Sequence, residues 1–352
     1  MSDFKNPSLV SSPFIGSYDS VAKVMRMVIY AMLPGILVYA MLFGWGVIIN
    51  ITITIFSALF FEYIMLLLRQ RPVKLFLFDG SAVITAILLS LSMPLLVPWW
   101  LLVLGGFFAI VVAKHLYGGL GYNTFNPAMA AYAILLVSFP RELSMWTAAS
   151  DSLNYSLSFI ETLKYSFFQV LPSSIQFDAL TSATVLDHIR TETGLGKSIA
   201  EIKQSPIFGY AAGAGYEWVS LAFLFGGLWL IHKNIIIWHI PFSILAALAL
   251  ISSVSYLINP DYFSGPLVHL LGGASILGAF FIATDPITAS TTPLGRIIYG
   301  VGIGILIFAI RVWGGYPDGV AFAVLLIGLT VPLLDYYTTP KIYGERAHND
   351  KS

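Results

Sequence analysis

The sequence predicts an all-α protein that crosses a membrane repeatedly, with about ten helices in two inverted repeats of five and one long polar loop. Three observations predict it. Only 10% of the 352 residues are charged and 57% are hydrophobic, against about 25% charged in a soluble domain. Mean hydropathy is +0.83. Apolar stretches of membrane-crossing length recur along the chain, and strings from its first half return in its second. The formal net charge is zero, so no basic footprint suggests a nucleic-acid partner. There is no cysteine, which excludes disulfides, cysteine-ligated iron–sulfur clusters and thiolate nucleophiles within this chain. The first 20 residues are polar or mixed. They lack an apolar core ending in a cleavage site, so the first span is expected to drive insertion into lipid.

The expected spans lie at 24–43, 47–68, 78–94, 97–115, 124–139, 218–232, 236–257, 267–284, 295–312 and 318–335. Each is long enough, or nearly so, to cross about 30 Å of hydrocarbon at about 1.5 Å per residue. The third, fifth and eighth are short and flanked by Pro or Gly, the kind of segment that holds binding sites in membrane folds. The expected organisation is a cytoplasmic segment 1–23, a five-helix unit 24–139, a loop 140–217, a second five-helix unit 218–335 and a cytoplasmic tail 336–352. Lys and Arg set the orientation. With the amino terminus inside, twelve of the eighteen basic residues fall on the cytoplasmic side. The short loops 44–46, 94–98 and 258–266 on the other side carry none. Both termini are therefore expected in the cytoplasm and the long loop outside. That loop is too long for a plain connection. Within it, Phe159 to Leu171 reads as a short amphipathic helix on the bilayer surface.

The repeat rests on two pairs of strings. Gly80-Ser-Ala-Val-Ile-Thr-Ala-Ile resembles Gly273-Ala-Ser-Ile-Leu-Gly-Ala-Phe, and Ala113-Lys-His-Leu-Tyr-Gly-Gly119 resembles Ile310-Arg-Val-Trp-Gly-Gly315. Five spans per unit is odd, so the copies would be inverted, with a site expected between them near the midplane. Chance likeness between Gly-rich apolar helices is the competing reading.

The strongest local signal is Asp178-Ala-Leu-Thr-Ser-Ala-Thr184. It resembles the recognition pattern of the transferase that joins FMN to a threonine hydroxyl. Asp178, Thr181, Ala183 and Thr184 fill the fixed positions of that pattern, and Ser182 and Ala183 are small enough to admit a second enzyme. A hydroxyl can form a phosphoester, as an apolar side chain cannot. A solvated Ser/Thr turn is the bland alternative.

Longer strings carry a family resemblance: Leu116-Tyr-Gly-Gly-Leu-Gly121, Phe125-Asn-Pro-Ala-Met129, Thr284-Asp-Pro-Ile-Thr-Ala-Ser-Thr-Thr292, the run Gly314 to Leu326, and Val331-Pro-Leu-Leu-Asp-Tyr-Tyr337. Over nearly its whole length the chain resembles the NqrB/RnfD family. It is more similar to the RnfD branch, from Rnf complexes, than to the NqrB branch, from sodium-pumping NADH:quinone reductases. The resemblance implies a flavoprotein subunit of an inner-membrane translocase. Such a subunit would relay electrons between ferredoxin and NAD chemistry, coupled to Na⁺ or H⁺ movement. It implies FMN bound covalently as a phosphorylated threonine at Thr184, and other Rnf subunits (A, B, C, E, G), the flavin transferase and membrane lipid as partners. It also implies a second flavin, riboflavin, at Asn123-Thr-Phe-Asn-Pro127. Asn123 and Asn126 share a face if that segment is helical, and their amides suit a flavin imide edge. Asn126 reads equally as a helix N-cap before Pro127. Val185 follows Thr184 where the family often has Pro.

Glu62, Asp79, Lys114, Asp285, Arg311 and Asp318 fall in or near spans, where an ionisable group marks function by default. Lys114 and Arg311 are expected to anchor the halves or to pair with Asp residues such as Asp318. Asp285-Pro286 is expected to break a helix and expose carbonyls along an ion path. The six histidines offer no clear facing pair for haem. No catalytic or metal-ligating set stands out. A solute channel or transporter would explain the spans and the repeat, but not the Asp178–Thr184 pattern.

Overall fold

The computed structural model describes residues 21–147, 149, 157–172 and 180–340. Helix α1 (Val21–Phe43) and α2 (Gly46–Leu68) form an antiparallel pair turned at Gly44, whose φ of 92° suits only a residue without a Cβ. Short α3 (Val73–Leu77) leads into α4 (Ser81–Leu91). Asp79 caps that junction by accepting from the Ser81 amide at 2.7 Å and its hydroxyl at 2.6 Å. Helix α5 (Trp99–Phe107) continues unbroken into a wider π-helical segment, Phe108–His115. Helix α6 (Pro127–Ser138) closes the first set.

The long loop is not featureless. It contains α7 (Pro140–Ser144), strand β1 (Trp146–Thr147), α8 (Phe159–Phe168), strand β2 (Thr181–Ser182), α9 (Val185–Gly194) and α10 (Ile199–Ile202). The strands pair antiparallel, Trp146 with Ser182 and Thr147 with Thr181. The second set is α11 (Tyr216–His232), α12 (His239–Ile258), α13 (Pro266–Leu271), α14 (Ser275–Leu277) running into a π turn at Gly278–Ile282, α15 (Pro293–Trp313), α16 (Val320–Gly328) and α17 (Val331–Thr338).

All ten apolar stretches are helical. Among the described residues, five helical segments are long and apolar enough to cross a membrane: α1, α2, the α3–α4 run Val73–Leu91, α12 and α15. Helices α16 and α17 together make a sixth, bent by 53°. The eighth expected stretch is broken in two, and α5 with its π extension and α6 are shorter. Packing is inverted relative to a water-soluble bundle. Phe56, Phe60, Leu250 and Leu257 face outward, whereas Asn50, Thr54, Glu62 and Ser252 are buried. Lipid rewards that arrangement, because polar groups must find partners inside the protein. The chain is an all-α polytopic membrane protein.

Helix α1 runs along α11, and α6 meets α16. Helix α2 packs on α4 and α5, as α12 packs on α13 and α15. The α1–α11 seam is set by small residues that let backbones approach. A Cβ on Gly226 would lie 1.9 Å from the Ala31 carbonyl oxygen, and one on Gly35 would lie 2.4 Å from the Phe223 ring. Gly226→Val should therefore open the seam and cost about 3 kcal/mol, at the upper end of ordinary overpacking. A thermal melt in detergent should show a marked drop. Gly265→Ala, which meets nothing within 4 Å, should leave the melt nearly unchanged.

Candidate functional site

Thr184 is the N-cap of α9. Its extended backbone (φ −65°, ψ 154°) lets Oγ1 accept from the Asp187 amide at 3.2 Å. The residue is half-buried, and Ala183 beside it is exposed. Thr181 and Ser182 form β2, and the Ser182 hydroxyl donates to the Ala183 carbonyl at 3.1 Å. The motif is thus a short strand running into a helix cap rather than an open turn. Asp178 lies outside the described residues. At the far end of α9, Lys197 bonds Glu192 at 2.5 Å and holds that carboxyl below its usual range.

Thr184 borders an open cavity of about 930 Å³ whose walls come from both halves of the chain. Tyr39 of α1, Tyr132 of α6, Trp146 of β1, and Tyr216 and Phe223 of α11 contribute aromatic surface. Gly273, Asp318 and Val320 supply another wall. The Trp146 indole N–H is buried there without a hydrogen-bond partner. A second cavity, about 660 Å³, also touches Thr184 and runs along β1 and β2.

Asp318 is the cavity's polar corner, and it is held in place by Arg311. Arg311 Nε and Nη2 donate to the two Asp318 oxygens at 2.9 and 3.0 Å, and Nη1 donates to the His269 carbonyl at 2.5 Å. Asp318 also accepts from the Ala274 amide at 2.8 Å, tying α14 to the start of α16. Gly273 must lack a side chain, since a Cβ there would stand 2.6 Å from Arg311 and 2.7 Å from Asp318.

A third cavity, about 940 Å³, lies toward the other end of the molecule. Met25 of α1 lines it, whereas Tyr39 of the same helix lines the first. The two positions are separated by roughly 21 Å along the helix at about 1.5 Å per residue. Asn123, Asn126, Lys114 and Asp285 all border this third cavity. Asn126 caps α6 through Oδ1, which accepts from Ala128 and Met129 amides at 3.1 and 3.2 Å. Its Nδ2 donates to the Ile282 carbonyl at 3.3 Å. Asn123 Nδ2 donates to the Phe125 carbonyl at 3.0 Å, and its Oδ1 is buried without a partner. Residues 123–126 precede the helix, so a shared helical face does not bring these amides together; a turn does. Asp285 follows the π turn and accepts from Ile287 N at 3.3 Å and Thr288 Oγ1 at 3.2 Å. The Ile282 carbonyl that Asn126 uses also accepts from the Asp285 amide at 3.3 Å.

Lys114 pairs with Glu62, not with an Asp such as Asp318. Its ammonium donates to both Glu62 oxygens and to Ser81 Oγ, each at 2.9 Å. His115 Nε2 stands 3.1 Å from the same carboxylate. Sequence reasoning missed Glu217, a buried acid that accepts from the Tyr210, Ala211 and Ala212 amides at 3.1, 2.9 and 3.1 Å. The one available sign was an acid following a Gly-rich run at the mouth of an apolar span. The aromatic lining was also missed, because its residues are scattered over four elements with no common spacing.

Comparison with known proteins shows the family. Residues 8–344 match the NQR2, RnfD, RnfE family. The chain belongs to this family. Among relatives, the D subunits of the ion-translocating oxidoreductase complexes of Aliivibrio salmonicida, Escherichia coli O127:H6 and Aeromonas hydrophila are 47%, 46% and 47% identical to it. Each alignment covers 96% of this chain and 98–99% of the relative. In this member of the NQR2, RnfD, RnfE family, Lys114 and Arg311 each hold an acid, beside the third and the first cavity respectively.

Removing one partner of a buried ion pair strands the other. Arg311→Met should cost about 3–5 kcal/mol. The double variant Arg311→Met, Asp318→Leu should recover part of that loss. Thermal melts of the two variants in detergent check it. A double variant as unstable as the sum of the two single losses would show that the pair is not the unit of stability.

Proposed function

We propose that this chain is the flavin-carrying membrane subunit of an ion-translocating oxidoreductase complex, with FMN esterified to Thr184. One observation carries the reading. The threonine that completes the transferase pattern stands half-buried, at a helix N-cap, on the rim of a large aromatic cavity. The names of the relatives support the same class of complex.

The residues fit such a group. An accessible Ala183 gives the transferase room to reach the neighbouring hydroxyl. The ester oxygen on Thr184 keeps a lone pair, so the cap on α9 survives modification. The start of α9 offers unpaired amides and a positive dipole end to a phosphodiester. The aromatic walls suit a flat ring system, and the unpartnered Trp146 N–H offers a donor to a ring carbonyl. In the third cavity, the orphaned Asn123 oxygen suits an imide N–H, which supports riboflavin there. A bound flavin supplies the one-electron chemistry. The chain's own part is to position it, exclude water and hold charge nearby. Arg311 and Asp318 fix the polar corner of one cavity, and Lys114 and Glu62 stand beside the other.

In the finer reading, electrons pass between ferredoxin and NAD chemistry held by the other Rnf subunits (A, B, C, E, G), coupled to Na⁺ or H⁺ movement. The complex lies in the bacterial inner membrane, with both termini cytoplasmic and the flavin loop periplasmic. Asp285 borders an ion path.

Coexpression with the flavin transferase should give a band that fluoresces under ultraviolet light on a denaturing gel. Thr184→Val should abolish that fluorescence without changing the amount of protein. A fluorescent Thr184→Val band would move the attachment elsewhere. Asn123→Leu should leave the covalent band intact while lowering the riboflavin released on denaturation. In the reconstituted complex, Asp285→Asn should slow ion uptake; unchanged uptake would remove Asp285 from the path.

A further inference from the structure

Helix α8 is built inside out. Its first turn is locked by a capping box, in which the Ser158 amide donates to Glu161 at 2.9 Å and the Glu161 amide donates back to Ser158 Oγ at 3.4 Å. The residues it buries against the protein are Thr162, Tyr165 and Ser166. The residues it turns outward are apolar: Ile160 is 62% exposed and Phe168 75%, joined by Phe159, Leu163 and Phe167. Water penalises such a face, and soluble surfaces rarely keep one of this size uncovered.

The position of α8 shows what covers it. Phe159 meets Trp45 edge to face at 5.5 Å, and Phe167 stacks on Trp99 at 5.8 Å. Trp45 immediately precedes α2, and Trp99 opens α5. Both helices belong to the apolar bundle, so the two tryptophans mark one edge of the lipid-facing surface. Tryptophan favours that level of a bilayer. The outward face of α8 is therefore continuous with the lipid-facing surface. Lys164 is its one cation within the helix, placed to snorkel toward water.

We propose that α8 is an interfacial helix that rests in the headgroup–acyl boundary of the bilayer and holds the 180–184 segment at that depth. The link is direct. Tyr165 on the inward face clusters with Leu96 and Leu180, and Leu180 immediately precedes β2 and the run to Thr184. An apolar face sunk into the interface fixes the height of the helix, and the cluster of Leu96, Tyr165 and Leu180 passes that height to the loop. This inference stands independently of any flavin at Thr184.

The test places p-benzoylphenylalanine at Phe168, and separately at Ile160, in the full chain within its complete complex in native membranes. Phe60, exposed on α2, serves as the reference. After irradiation, the intact mass of the chain is measured. The expected result is a mass shift of one phospholipid at both α8 positions, in yield comparable to position 60. A crosslink to another subunit would overturn the proposal in favour of a protein partner. Unmodified chain at both positions, with the reference crosslinked, would overturn it by showing the face in water. Gel fluorescence of the same samples reports the flavin separately, so loss of one reading is distinguishable from loss of the other.

Discussion

A bilayer offers no partner to a polar group, and most of this structure follows from that constraint. Among the described residues, two basic side chains are nearly sealed from solvent, Lys114 at 2% and Arg311 at 4% exposure. Each is held by acids and by groups at the start of a broken helix: Ser81 beside α4 for Lys114, and the Asp318–Ala274 link before α14 for Arg311. Breaking a helix inside a membrane frees amides and carbonyls that need new partners. Here those partners are Asp79, Asp318 and the Asn126 amide, and the cost of the breaks is offset locally. The breaks in turn leave room: each of the two large cavities opens beside one of them.

Around Thr184 the loop joins this arrangement closely. Strands β1 and β2 bring Trp146 next to the Thr184 segment, α9 begins at Thr184, and Leu186 faces the Gly273 corner. Arg190 anchors α9 further by donating to the Gly314 carbonyl at 2.8 Å. A reactive hydroxyl on a mobile loop would hold a cofactor poorly. A hydroxyl that caps a helix, on a ribbon packed over a membrane cavity, would hold it in a defined direction.

Much of this was legible in the sequence, because lipid makes composition an unusually strong constraint. Long apolar runs such as 24–43 and 236–257 became α1 and α12 with ends shifted by three residues or fewer. The third and eighth expected spans, flagged as short and flanked by Pro or Gly, became α4 and the α13–α14 break. Partners across the chain were less legible. Asp318 was foreseen for Arg311, seven residues away, but Glu62 for Lys114 was not, because 52 residues separate them and only packing brings them together. The Asn123 and Asn126 amides do face one cavity, yet by a turn before α6, which periodicity cannot show. The aromatic lining of the Thr184 cavity left no pattern at all, as its rings come from α1, α6, β1 and α11.

Thr184, on the proposed function, is the place where the loop and the membrane core share a cofactor. Peptide mapping by mass spectrometry tests this on the chain purified from native membranes. Trypsin should release residues 165–190, and fragmentation should localise a gain equal to FMN less one water on Thr184. An unmodified peptide from complexes that retain electron-transfer activity would contradict it and remove the covalent flavin from this chain.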